Sequence, residues 1–114
     1  MVSKDKSSPR GPVDPTILRE IVRRIVDAVQ PERIILFGSA ARGEMGPDSD
    51  VDLLVVKRCE HRRQTARAIR RMLIGIPIPI DIIVGTPDDI ASYGTTIGLI
   101  YRPALQQGKE IYAA

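Results

Sequence analysis

The fold is decided by one stretch of the chain, IILFGSAARGEMGPDSDVDLLVV, which spans residues 34–56. It opens with an apolar run over residues 34–37 that stops at Gly38, and it closes with a second run over 51–56 that only Asp52 interrupts. Short continuous apolar runs with such boundaries are typical of strands buried on both faces. We therefore predict two strands joined by a loop that contains three glycines.

Helices and a third strand are predicted around this pair. Asp14 before Pro15 is a helix start, and apolar residues then repeat at helical spacing until Pro31. Residues 60–73 carry an apolar face and five arginines, which predicts an amphipathic, basic helix. Residues 78–84 form a third apolar run, and Pro79 should lie at its start or on a sheet edge because proline cannot donate to a ladder.

The remaining elements complete an alternation of helices and strands. Thr86 and Pro87 are a second helix start, with Thr86 as the cap. We predict a further helix over about residues 97–108, kinked by Pro103, and a short final strand over 109–112. The alternation predicts an α/β (α+β) fold with a small mixed sheet and flanking helices. Residues 1–13 are predicted to be a disordered tail, and 14–114 a single domain.

Composition narrows the classes of function. With no Trp, one Phe and three Tyr, platforms for base stacking are not expected. The net charge of +3 permits a polyanionic partner without requiring one, so nucleic acid is not expected as the direct substrate. A single cysteine, Cys59, excludes an intrachain disulfide and fits a reducing cytoplasm. No apolar run is long enough to span a membrane, and the first residues lack the apolar stretch of a secretory signal.

Carboxylates carry the predicted chemistry. Because side chains alternate along a strand, Asp50 and Asp52 project from one face. If the strand over residues 78–84 lies beside theirs, Asp81 brings a third carboxylate to the same place. Mg²⁺ prefers such oxygen ligands and takes further oxygens from substrate phosphates. We therefore predict a metal platform, with Asp81 as the acid that helps to deprotonate an acceptor.

A phosphate-binding turn is predicted opposite this platform. Gly38 and Ser39 lie where a strand ends and a short helix begins, so backbone N–H groups there can point at a phosphate oxygen. Arg42, one turn later, either contacts phosphate or pairs with Glu44 or a site acid to hold the loop. The two readings carry equal weight.

Together these motifs resemble the DNA polymerase β-type nucleotidyltransferase superfamily, and most closely its minimal (MNT) branch. The resemblance rests on Gly38-Ser39, ten intervening residues, Asp50-Val51-Asp52 and the later Asp81, and it covers roughly residues 14–112. It implies a nucleotidyltransferase fold, Asp50 and Asp52 as ligands of two Mg²⁺ ions, with Mn²⁺ as the alternative metal, and Asp81 as a ligand of the catalytic ion. It also implies that Gly38 and Ser39 bind the triphosphate of ATP.

The resemblance further implies a partner protein. Members of the MNT branch are often encoded beside a HEPN-domain ribonuclease, as a toxin–antitoxin pair in which the transferase adenylylates a tyrosine of the toxin. A chain of 114 residues leaves no room for the additional domain with which larger nucleotidyltransferases hold an acceptor. We therefore expect a HEPN toxin, or a second copy of the chain, to complete the site. The alternatives are a binding module that blocks its partner sterically and a transferase that acts on a small molecule.

Overall fold

A computed structural model describes residues 13–43, 50–91, 106 and 108–114. Nearly all of the predicted tail and of the predicted helix over 97–108 lies outside these described residues. Val13, the first of them, packs against the core. No helix in this part of the chain is long and apolar enough to cross a membrane.

Four helices and four strands make up the described fold. In chain order they are α1 (Pro15–Val29), β1 (Arg33–Phe37), α2 (Gly38–Ala41), β2 (Val51–Val56), α3 (Arg62–Met72), β3 (Ile80–Gly85), α4 (Pro87–Ala91) and β4 (Lys109–Ala113). Both strands of the deciding stretch are confirmed, as are the helix start at Asp14 and the final strand.

The third strand begins two residues later than predicted. Pro79 lies just before β3, where its carbonyl accepts a hydrogen bond from the Val51 N–H at 2.9 Å. A proline needs no ladder donor at that position, so Pro79 does not weaken the sheet.

The strands form one mixed sheet in the order β3-β2-β1-β4. β1 runs antiparallel to both β2 and β4, whereas β3 runs parallel to β2. This arrangement confirms the predicted small mixed sheet with flanking helices. It also brings the end of β1 and the starts of β2 and β3 to the same end of the sheet.

Each face of the sheet has its own apolar cluster. On one face α1 and α3 cover the strands, and the fully buried side chains there include Ile21, Ile25, Ile34, Leu53 and Ile69. Burying one such side chain contributes about 1.5–3 kcal/mol, so this cluster supplies most of the hydrophobic stabilisation. The opposite face has a smaller cluster of Ile35, Leu54 and Val56. Burial on both faces explains why the sequence of β1 and β2 is continuously apolar.

An arginine–glutamate cluster ties α1 to the end of α3. Arg24 donates to the carbonyl oxygens of Met72 at 3.2 Å and Ile74 at 3.0 Å, which lie where α3 ends. Glu20 accepts from Arg24 at 2.8 Å and from Arg23 at 2.6 Å. Hydrogen bonds from Arg23 and Arg24 lower the pKa of Glu20 to about 2. Glu20 therefore orients the arginine that joins the two helices.

This cluster predicts a pH-dependent effect of Glu20→Gln. The pKa of Glu20 is lower in the folded chain than in the unfolded one, so its contribution to stability is fully present above pH 4.5. That contribution declines as the pH falls and is lost near pH 2. We expect the variant to unfold at lower urea concentration than the parent at pH 7, and the difference to shrink by pH 3. A difference independent of pH between 7 and 3 would contradict the pairing.

The predicted cap of α4 is a reciprocal one. Thr86 Oγ1 accepts from the Asp89 N–H and Asp89 Oδ2 accepts from the Thr86 N–H, both at 3.0 Å. Arg62 also donates to Asp89. Although partial burial opposes the charged form, the hydrogen bonds from Thr86 and Arg62 keep the pKa of Asp89 below its ordinary value. The start of α4 is thereby tied to the start of α3.

Candidate active site

Two of the predicted acids lie side by side at the end of the sheet where β1 stops. Asp52 and Asp81 are partners in the parallel register of β2 and β3, so their side chains project from the same face. That face is the one opposite α1 and α3. Asp52 is half-buried and Asp81 is exposed. The structure thus confirms the juxtaposition that the sequence made conditional on strand pairing.

Asp50 adds a third negative charge near this end. It lies just before β2 with an exposed side chain. Burial raises the pKa of Asp52, and the negative charges of Asp81 and Asp50 raise it further. Asp52 therefore carries its charge at a cost that a cation would relieve.

Gly38 fits closely against Asp52. The glycine has a φ of +71°, in the left-handed region that a side chain disfavours. A Cβ at this position would collide with Oδ2 of Asp52. Glycine is therefore favoured by the backbone, and any side chain here would also have to displace the carboxylate of Asp52. The turn that was predicted to bind phosphate lies directly beside the acids that were predicted to bind metal.

Ser39 belongs to the single turn α2, which begins at Gly38, and Arg42 directly follows this turn. Ser39 is half-buried. It is one of the first residues of α2, where backbone N–H groups have no acceptor within the helix. Arg42 is the C-cap, its N–H bonds to the carbonyls of Gly38 and Ser39, and its side chain is exposed. Glu44, its alternative partner, lies outside the described residues.

The described structure does not gather Asp50, Asp52 and Asp81 into the single metal platform that the sequence predicted. Within residues 13–43, 50–91 and 108–114, no three side chains of His, Cys, Asp or Glu converge into a group that could hold a metal ion. Mg²⁺ in phosphoryl-transfer sites is commonly held by one or two carboxylates, while waters and substrate phosphates supply the other oxygens. The half-buried Asp52, flanked by two further acids, suits that mode of binding.

Phe37 is a member of the site that sequence analysis did not single out. It pairs with Asp52 in the antiparallel register of β1 and β2, so it lies in one row with Asp52 and Asp81. Its half-buried ring also packs against the smaller apolar cluster. The alternation of side chains along residues 34–37 shows which of them share a face with Phe37. Only the register of β1 and β2 shows that this is also the face of Asp52.

The fold, with acids beside a glycine turn, is the arrangement that the sequence led us to expect of a nucleotidyltransferase. A family model described as nucleotidyltransferase domain matches residues 16–104. The chain therefore belongs to the nucleotidyltransferase domain family. Its enzyme class is that of a nucleotidyltransferase.

Solved structures share the fold. A mutant of the toxin–antitoxin MntA-HpeT superposes with a TM-score of 0.64 at 15% identity, over 84% of this chain and 73% of that one. A toxin–antitoxin with AMP-PNP gives a TM-score of 0.61 at 20% identity, over 84% and 73%. A nucleotidyltransferase-like protein from Sulfolobus solfataricus gives 0.59 at 20% identity, over 86% and 78%. No curated protein sequence matches the chain.

Proposed function

We propose that this chain is an antitoxin that transfers AMP from ATP to a protein acceptor, a tyrosine of a cognate HEPN ribonuclease toxin. The observation that carries the proposal is the in-register pair Asp52 and Asp81 beside Gly38. That arrangement supports the proposal because the acids that would hold metal and accept a proton, and the turn that would bind phosphate, share one end of the sheet.

The acids support a division of roles. Asp50 and Asp52 would hold Mg²⁺, which when bound neutralises charge on the triphosphate and polarises it for attack. Asp81 would also serve the catalytic ion and accept the proton of the attacking hydroxyl. Its exposure leaves it open to an acceptor on the outer side of β3, which is the outermost strand on that side of the described sheet.

The turn after β1 supports binding of the donor. Gly38 admits a close approach because it has no side chain, and the N–H groups at the start of α2 with the Ser39 hydroxyl can donate to phosphate oxygens. Arg42 would add a cationic contact at the far end of the same turn.

The chemistry that follows is an in-line displacement. The acceptor oxygen forms a bond to the α-phosphorus of ATP, the bond from that phosphorus to the bridging oxygen breaks, and pyrophosphate leaves. The proton of the acceptor hydroxyl passes to Asp81. No step requires an oxidant or a reductant, and free Cys59 suits a reducing cytoplasm.

The proposed class of partner is supported by the structures that share this fold. Two of the similar structures are described as toxin–antitoxins, and one of those contains AMP-PNP. An exposed acid on the outermost described strand also suits an acceptor delivered by a second protein. These observations favour a macromolecular acceptor over a small molecule.

The test is the mass of the partner. The chain, a cognate HEPN protein, ATP and Mg²⁺ should yield a partner heavier by one or more AMP residues, with the addition mapped to a tyrosine. The Asp50→Asn/Asp52→Asn double variant should leave the mass unchanged while still folding. An unchanged mass with each of the four common nucleoside triphosphates would overturn the proposal.

A growth assay separates catalysis from steric blocking. If the double variant still protects cells from the toxin, the chain acts as a binding module and the acids are dispensable. If protection is lost while circular dichroism shows a folded chain, transfer is the protective activity.

A further inference from the structure

A second surface lies along α3 and the outer edge of β3. The residues that line it include none of the predicted site residues. Two adjoining grooves of about 590 and 420 Å³ follow this edge, and Arg62, Arg63 and Arg67 line both. Arg70 lines the second groove. The sequence of this helix fits either a solvated face or a surface that binds RNA or an acidic partner, and the grooves bear on the second alternative.

Three of these arginines form a row. Residues 63, 67 and 70 lie within about 60° of one another around the helix, and the row is about 10 Å long. It runs beside the buried face of α3 that contains Ala66 and Ile69. All three side chains are exposed. The row is therefore held next to the sheet edge by helix packing.

The positive charge of two arginines in this row is not neutralised by ion pairs with described residues of the chain. Among the residues that the structure describes, neither Arg63 nor Arg67 has a carboxylate partner. Arg62, by contrast, pairs with Asp89. Two adjacent cations without partners, in a groove, favour an anionic ligand.

Arg70 limits how a ligand can bind. It donates to the carbonyl of Ile82 at 3.3 Å, on the edge strand β3. An added β-strand would compete with this hydrogen bond for the same edge. Recognition should therefore use the side chains of α3 and leave the backbone of β3 as it is.

The composition of the grooves bears on the class of ligand. None of the described residues that line them is Trp, Tyr or Phe, and His61 is the one ring among them, so successive bases of single-stranded RNA would have few aromatic rings on which to stack. A row of about 10 Å is also short beside the roughly 16 base pairs that double-stranded RNA domains span. Acidic side chains at i, i+4 and i+7 of a helix, however, repeat at the same spacing as the arginines.

We infer that this row is a docking site for an acidic helix of a partner protein, whose carboxylates pair with Arg63, Arg67 and Arg70. Arginine suits the role because its planar guanidinium can bind a carboxylate through two parallel hydrogen bonds. The inference concerns binding and does not depend on nucleotidyl transfer.

Fluorescence anisotropy with a defined probe tests it. The probe is a labelled, alanine-rich helical peptide of about 18 residues with Glu at i, i+4 and i+7, and its companion has Gln at those positions. At about 50 mM salt the Glu peptide should bind at least about tenfold more tightly than the Gln peptide. Arg63→Gln/Arg67→Gln should weaken Glu-peptide binding at least about tenfold.

The matched control removes two charges elsewhere. Arg19→Gln/Lys109→Gln alters exposed side chains on α1 and β4 and should change the Kd less than about threefold. Equal weakening by both double variants would overturn the inference, because net charge alone would explain the binding. Absence of binding by the Glu peptide would also overturn it.

A parallel binding measurement with RNA tests whether the surface binds nucleic acid instead. If a labelled oligouridylate of about 12 nucleotides binds more tightly than the Glu peptide and loses that binding in Arg63→Gln/Arg67→Gln, the surface is a nucleic-acid site and the inference is wrong. Transfer assays stay separate, because a chain that binds the peptide without transferring nucleotide supports this inference while contradicting the proposed function.

Discussion

Asp52→Asn is expected to slow nucleotidyl transfer by about a thousandfold, and to leave the chain at least as stable as before. Loss of a metal-binding carboxylate removes several kcal/mol of charge stabilisation from the transition state, which corresponds to a rate factor of that order. The amide has nearly the same shape, so packing at the end of β2 is preserved.

The stability half of this prediction follows from the sign of a pKa shift. Burial and the charges of Asp81 and Asp50 raise the pKa of Asp52 in the folded chain. A raised carboxyl pKa means that the charged form is disfavoured by folding, so the charge destabilises the fold at pH 7. Neutral asparagine removes that cost. In EDTA the melting temperature of the variant should equal or exceed that of the parent, and the difference should diminish as acid protonates Asp52.

Asp27→Asn is the matched control. It removes one carboxylate from the exposed surface of α1, where Asp27 pairs with Arg23, and it should leave the rate of transfer unchanged. Transfer by Asp52→Asn within about tenfold of the parent would exclude Asp52 as a metal ligand. A large fall in its melting temperature would show that Asp52 is a structural residue.

Gly38→Ala is expected to abolish detectable transfer and to destabilise the chain by roughly 1–3 kcal/mol. Two effects combine at this position. The φ of +71° disfavours any side chain, and the added methyl would collide with the carboxylate of Asp52. Relief of the collision must displace either the turn or the acid, and transfer needs both in place.

Gly75→Ala separates these effects. Gly75 has a φ of +95°, but a Cβ there would meet nothing within 4 Å. The control should therefore lose about 1 kcal/mol of stability and keep its transfer rate. Measurement of urea unfolding and of pyrophosphate release for both variants checks the pair. Equal transfer by the two variants would show that the contact between Gly38 and Asp52 has no role in the reaction.

Local chemistry was enough to predict most elements. The strand over Val51–Val56 was recognisable because both of its faces are buried, which leaves an apolar run with a single acid. The start of α4 was recognisable because Thr86, Pro87 and the acids after them are capping residues by their own bonding preferences. The beginning of β3 was predicted two residues early because an apolar run does not show where a ladder starts.

Most of the candidate site residues were also predicted from local sequence, but the position of one of them depends on strand pairing. Asp50, Asp52, Gly38 and Ser39 lie close together in the chain, so their types and spacing carry the motif. Asp81 lies about 30 residues further on. Its place beside Asp52 depends on the parallel register of β2 and β3, which no local pattern specifies.

The sequence alone therefore established most elements and the candidate acids, because these depend on side-chain periodicity and on bonding between near neighbours, and its resemblance to a known family indicated the class of chemistry. Strand order and helix packing settled the rest: the pairing of Asp52 with Asp81, the close contact of Gly38 with Asp52, and the row of arginines beside β3. Each of these is a contact between segments distant in the chain, and it exists only once burial of the apolar faces has brought those segments together.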